Sequence, residues 1–262
     1  MTHPPDGGTD MKKIMLFGMC MLIVCIAGCS DSGETTNGYL PEGESVDITS
    51  SGQDYPAYLA VPNGNGPYPG VVLIHSYNGL ESGYQEMADR FAGEGFVVIA
   101  PEWQTFEKSP PDDTVETLVR DSVAYLGTRS DVDTNRLGLT GFCAGGRYTM
   151  LFLPQTDEFA SGVAWYGFPY SGGFNNETTP ASLVGEMNVP ILIIHGTRDR
   201  PSPVADIYRY ATELDGADVY FELKVYQGEP HGFMIEDGQL SESFVAQDAY
   251  GEMVDFFTRT FV

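Results

Sequence analysis

Apolar residues along the chain gather in short runs separated by longer amphipathic stretches. Val71-Val72-Leu73-Ile74 follows Pro69-Gly70, and Val97-Val98-Ile99-Ala100 stops at Pro101. Runs of this length with no polar residue at alternate places predict strands buried on both faces. Between them, residues 84–93 carry Met87 and Phe91 at helical spacing. The alternation continues with a helix over 114–126, a strand over 136–140 and a helix over 145–153. Strands over 162–166 and 191–195, a helix over 204–214, a strand over 220–226 and a closing helix over 244–257 complete it. Strands alternating with helices imply βαβ units and a mostly parallel central sheet with helices on both faces. Residues 45–50 and 55–61 alternate apolar with polar more strictly and predict an antiparallel hairpin at one edge. No internal repeat is visible, and one α/β domain over 44–262 accounts for the pattern.

Ahead of that domain the pattern changes. Lys12-Lys13 precedes an apolar run over 14–28 that is too short to span a bilayer comfortably and is flanked as a signal peptide is. Its end, Ile26-Ala27-Gly28-Cys29, is similar to a lipoprotein signal, in which cleavage precedes the cysteine and that cysteine is lipidated. Residues 1–10 carry neither positive charge nor hydrophobic pattern, which makes Met11 a candidate start. The expectation is a signal peptide over 1–28, then a lipidated Cys29 and a small, polar, acidic tether through 43. The mature protein would lie outside the cytoplasm, held to a membrane by its lipid.

Charge and cysteine content narrow the chemistry. A formal net charge of −24, from 37 acidic against 13 basic side chains, repels polyanions and argues against nucleic acid as a partner. Cys20 and Cys25 leave with the signal and Cys29 is capped, so Cys143 is the one thiol expected in the mature domain, with no disulfide to enter. Neither a metal-ligand spacing nor a glycine-rich dinucleotide fingerprint occurs, so no metal and no cofactor is implied.

In open α/β sheets, reactive groups collect beyond the carboxyl ends of the strands. Four places qualify: His75-Ser76, Cys143, Asp199 and His231. Cys143 stands in Gly141-Phe142-Cys143-Ala144-Gly145-Gly146, where a nucleophile on a tight strand-to-helix turn needs small residues two before and two after it. The helix beginning there aims its amino-terminal dipole at the sulfur. Nucleophile, acid and histidine then follow in the chain order of α/β-hydrolases, Cys143, Asp199, His231. His195 ends a hydrophobic strand and is expected to be a core histidine. Arg147, one turn after Cys143, is expected on the helix surface.

These motifs, together with His195-Gly196-Thr197-Arg198-Asp199, Pro230-His231-Gly232-Phe233 and Ala164-Trp165-Tyr166-Gly167, resemble the dienelactone hydrolase family from about Tyr55 to the C-terminus. The resemblance implies an α/β-hydrolase fold and a hydrolase acting on a carboxylic ester or lactone. Cys143 would be the nucleophile, His231 the base, Asp199 its orienting acid, and the backbone N–H groups of Tyr77 and Ala144 the oxyanion hole. His75, Ser76, Trp103 and Tyr166, with Tyr77 and Phe168, are the candidates for a substrate pocket. Two departures stand out. The family glutamate that holds the resting thiol is replaced by Ser76, and the basic residue after the histidine by Met234 and Ile235. The triad carries over, whereas dienelactone specificity does not. Ser76 also favours a second reading, a lipid-anchored binding protein that keeps the scaffold without the activity.

Overall fold

The computed structural model describes residues 41–173 and 177–261, so the expected signal peptide, Cys29 and the tether up to residue 40 lie outside the described residues. A hairpin opens the domain: β1 (Glu44–Ser50) and β2 (Gln53–Ala60), antiparallel and in register from Glu44 opposite Leu59 to Ser50 opposite Gln53. There follow β3 (Tyr68–Ile74), α1 (Ser82–Gly93), β4 (Val97–Pro101), α2 (Asp112–Gly127), β5 (Val132–Phe142) and α3 (Ala144–Phe152). The second half contributes β6 (Ser161–Trp165), β7 (Ile191–Gly196), α4 (Val204–Gly216), β8 (Phe221–Tyr226) and α5 (Phe244–Thr260). Between β8 and α5 lies a small hairpin, β9 (Ile235–Glu236) with β10 (Gln239–Leu240).

The eight long strands form one sheet in the order β1-β2-β4-β3-β5-β6-β7-β8. The two strands of the predicted edge hairpin pair antiparallel, β2 pairs antiparallel with β4, and every pairing from β4 through β8 is parallel. The core divides by residue parity, as a pleated strand requires. Val72, Ile74, Val97, Ile99, Leu137, Leu139, Ile191 and Ile193 face one cluster, shared with α2, α3 and α4. Val71, Leu73, Val98, Ala100, Val163, Trp165, Leu192 and Ile194 face the other, under α1 and α5. Both faces are therefore dry. That is why these strands read as unbroken apolar runs.

Three differences from the sequence expectation have local causes. β5 starts at Val132 rather than 136, because Val132 and Asp133 pair with Tyr68 and Pro69 before a register shift at Pro69/Gly70; the polar Asp133, Thr134 and Asn135 hide that extension. A run of 3-10 helix over Pro180–Glu186, started by Thr179 accepting from the Ser182 N–H, and the β9–β10 hairpin are too short to show a period. α5 continues to Thr260, its first turn capped by Ser243 Oγ accepting from the Ala246 N–H at 3.1 Å.

Candidate active site

β5 delivers Cys143 directly into α3. The Cys143 N–H still donates to Trp165 O at 3.1 Å, extending the sheet ladder, while its C=O already accepts from the Arg147 N–H at 3.0 Å. One residue serving both strand and helix cannot keep an ordinary backbone: Cys143 has φ 59° and ψ −112°. For a non-glycine residue this costs on the order of 1–3 kcal/mol, and the surroundings must hold it. They do so by crowding. A Cβ on Gly145 would sit 2.1 Å from Ile74 O, and one on Gly141 would sit 2.2 Å from Gly145 O. The close packing of β3, β5 and α3 forces the strained turn and presents the thiol at the sheet's carboxyl edge.

Asp199 follows β7 and His231 follows β8, so adjacent parallel strands set them side by side. His231 Nδ1–H donates to Asp199 Oδ2 at 2.7 Å. The acid is buried, and Oδ1 accepts from the Ser202 N–H at 2.8 Å. Ser202 is itself fixed: its hydroxyl donates to Gly167 O at 2.6 Å, and its C=O receives His195 Nε2 at 2.8 Å. His195 is fully buried beneath the acid, as expected for a core histidine, and burial lowers its pKa. Sequence reading missed Ser202, since a serine in an Arg-Pro-Ser-Pro loop carries no periodic or motif signal.

His231 is the titratable centre of the site. Burial alone lowers an imidazole pKa, but the Asp199 hydrogen bond and the adjoining Cys143 overcome it and raise the value to about 9. Its Nε2 is buried, makes no hydrogen bond among the described residues, and lies on the side of the thiol. Tyr166 and Phe168 flank the ring at centroid distances of 5.0 and 5.4 Å. Neither the Tyr77 nor the Ala144 backbone N–H is engaged in a hydrogen bond among the described residues. They are therefore free to meet an oxyanion.

Cys143 and His231 open on a cavity of about 320 Å³. Of the expected pocket residues, Ser76, Tyr77, Tyr166 and Phe168 border it. His75 and Trp103 do not. His75 is buried, its Nδ1 bonded to Ser76 O at 2.8 Å and its ring stacked on Trp103 at 5.3 Å, and burial pushes its pKa down to about 4. Trp103 is also buried and borders a neighbouring cavity of about 330 Å³ with Ala144 and Tyr148, across Tyr77 from the thiol. The two residues support the loop carrying Tyr77 rather than line the pocket. Arg147 departs from expectation as well. It is 6% exposed and makes a two-point ion pair with Asp112, because α3 points into the protein and not along its surface. Glu81 and Tyr84, at the start of α1, border the same cavity as Cys143 and His231 and were not anticipated; the apolar spacing of α1 marks a buried face but not which end of it meets a cleft. Among the described residues no His, Cys, Asp or Glu group could hold a metal ion.

Comparison with known proteins agrees with this geometry. Over 228 residues the chain is 29% identical to a "Putative carboxymethylenebutenolidase" of Escherichia coli K12, covering 80% of this chain and 84% of that protein. It is 31% identical to "Protein usf" of Aquifex pyrophilus, covering 82% and 97% respectively. Among solved structures, the "Putative Dienelactone Hydrolase" of Klebsiella pneumoniae superposes with a TM-score of 0.76 at 26% identity, over 83% of this chain and 98% of that one. The sequence profile of the dienelactone hydrolase family matches residues 55–114 and 103–261, so that β3 through β8, the elbow and both strand-end loops all fall within it, and the chain is a hydrolase of that family.

Proposed function

We propose that the protein hydrolyses a carboxylic ester or lactone through a Cys143–His231–Asp199 triad and a thioester acyl-enzyme. The observation that carries this is the His231 imidazole held at 2.7 Å by buried Asp199, with its second nitrogen left free beside a thiol on a strained elbow. His231, its pKa raised to about 9, carries the proton taken from the thiol, and the thiolate Sγ adds to the carbonyl carbon. The resulting oxyanion accepts from the Ala144 and Tyr77 N–H groups, an interaction of a type worth about 2.7–4 kcal/mol per donor. Collapse breaks the bond to the leaving oxygen, which takes its proton from His231. Water, deprotonated by His231, then attacks the thioester, and the acid departs with Cys143 restored as a thiol. Met234 and Ile235, apolar where a carboxylate-binding cation would stand, support a substrate other than dienelactone.

The test is hydrolysis of a short-chain aryl ester by wild type and Cys143→Ala, with mass spectrometry of the quenched reaction. A loss of at least about a thousandfold, and an acyl adduct on Cys143 in wild type, is expected. Full activity in Cys143→Ala would overturn the reading.

We further propose that Cys29 is lipidated and tethers the enzyme outside the cytoplasm, a reading supported by the Lys12-Lys13 start, the apolar run and Ala27-Gly28-Cys29. Cys29→Ser should move the protein from the membrane fraction to the soluble one; equal membrane retention would refute the anchor.

A further inference from the structure

The catalytic cavity has an unusual balance of charge. Apart from the His231–Cys143 couple, Glu81 is, among the described residues, the one ionisable acid or base other than tyrosine on its wall, and no described lysine or arginine borders it. The cations nearest in sequence are turned elsewhere. Arg198 and Arg200 are exposed outside the cavity, and Arg147 is committed to Asp112. Lys108 lies over the Tyr77 ring at 4.6 Å and donates to Tyr77 O at 2.5 Å without reaching the wall. Any positive charge on His231 is matched by Asp199. The Glu81 carboxylate, by contrast, makes no hydrogen bond or ion pair among the described residues and does not cap α1, although its backbone occupies the N-cap position. It is partly buried, fixed at the start of a helix, and uncompensated.

Around that carboxylate the wall is aromatic. Tyr77, Tyr84, Tyr166 and Phe168 all border the cavity, and burial raises the pKa of both Tyr84 and Tyr166, keeping these phenols neutral. Aromatic faces together with one carboxylate attract alkylammonium groups through the ring quadrupole and through charge. The same surface repels carboxylates.

We propose, on the basis of the hydrolase reading above, that Glu81 and the surrounding rings make this site selective for esters whose acyl or alcohol part carries an alkylammonium group. Glu81 sets this preference by touching substrate and takes no part in bond breaking. Partial burial makes its field stronger at short range than a surface charge of the same sign, and less sensitive to salt.

Two readouts on the full-length protein separate this inference from the hydrolase reading. The first is kcat/KM for three aryl esters of matched shape, whose acyl chains end in trimethylammonium, tert-butyl or carboxylate. Wild type should prefer them in that order, and Glu81→Gln should cut the trimethylammonium to tert-butyl ratio roughly tenfold. The second needs no turnover: the rate at which thiosulfonate reagents bearing trimethylammonium or sulfonate modify Cys143, read by peptide mass spectrometry. Wild type should favour the cationic reagent, and Glu81→Gln should lose most of that bias. If none of the esters is cleaved while the labelling bias holds, the hydrolase reading fails and the cation site stands. If esters are cleaved but Glu81→Gln changes neither ratio, the cation site is wrong and the hydrolase reading stands.

Discussion

Arg147 and Asp112 meet in a buried two-point ion pair, Nη1 to Oδ1 at 2.9 Å and Nη2 to Oδ2 at 2.8 Å, which ties α3, the helix that follows Cys143, to the first residue of α2. Arg147 Nε also donates to Ser171 O at 2.8 Å and Nη2 to Thr178 O at 3.3 Å, so one side chain gathers three segments behind Cys143. Removing one member strands a buried charge. Arg147→Met should destabilise the fold by about 3–5 kcal/mol in chemical denaturation, and Arg147→Met with Asp112→Leu should recover a large part of that loss. A double variant no more stable than the single one would show that the pair contributes more than mutual neutralisation.

The His231–Asp199 pair makes stability depend on pH in a defined direction. Its imidazole pKa is raised to about 9 in the folded protein, against about 6.5 for an unperturbed histidine. A raised folded value means the protonated form is stabilised by folding. That contribution is complete below about pH 6.5 and is lost as pH rises through about 9. Asp199→Asn removes one of the two groups, with Cys143, that raise the pKa, so the stability advantage of wild type over the variant should shrink between pH 6.5 and pH 9. Urea denaturation of both proteins at several pH values measures it. A constant difference would mean that Asp199 does not hold His231 protonated.

Much of the fold is legible in the sequence, for a physical reason. Strands buried on both faces must be apolar at every position, so Val71–Ile74 and Val97–Ala100 announce themselves, and their position between helical stretches fixes a parallel sheet. The elbow was legible because steric contact between backbones demands glycine at 141 and 145. What sequence could not reveal depends on direction rather than on spacing. His75 and Trp103 follow strands as pocket residues do, yet their rings turn inward against each other. Arg147 sits one helical turn from Cys143, but which side of α3 faces the protein is decided by Asp112 and Ser171, distant in sequence. Glu81 and Tyr84 reach the cavity because α1 begins beside it, a placement that periodicity does not encode.

The elbow itself is open to a one-atom test. Gly145→Ala would bring its Cβ to 2.1 Å from Ile74 O and 3.0 Å from His75 O, both backbone atoms that cannot swing aside. Accommodating it must move α3 away from β3, and with it the Ala144 N–H and Cys143. The variant should lose several kcal/mol of stability and, where still folded, at least about a hundredfold in kcat, the order associated with a lost oxyanion donor. Gly185→Ala, where nothing lies within 4 Å of the added atom, is the control and should leave both unchanged.

Trp103 gives a subtler prediction, because it acts on the loop that carries Tyr77, the proposed oxyanion donor, without reaching the thiol's cavity. Its Nε1–H donates to His75 O at 3.2 Å while its ring stacks on the His75 imidazole, two residues before Tyr77. The far side of the loop is held by Lys108 Nζ and Gln104 Nε2, both donating to Tyr77 O at 2.5 and 3.1 Å. Trp103→Phe keeps an aromatic ring against His75 and removes only the donor. The Tyr77 N–H should then be less well placed for a charge that develops only in the transition state. The expected result is about a tenfold fall in kcat with KM little changed, since ground-state contacts to the cavity wall persist. A parallel rise in KM with constant kcat would instead make Trp103 part of substrate binding, and an equal loss in thermal stability and activity would make it a packing residue alone.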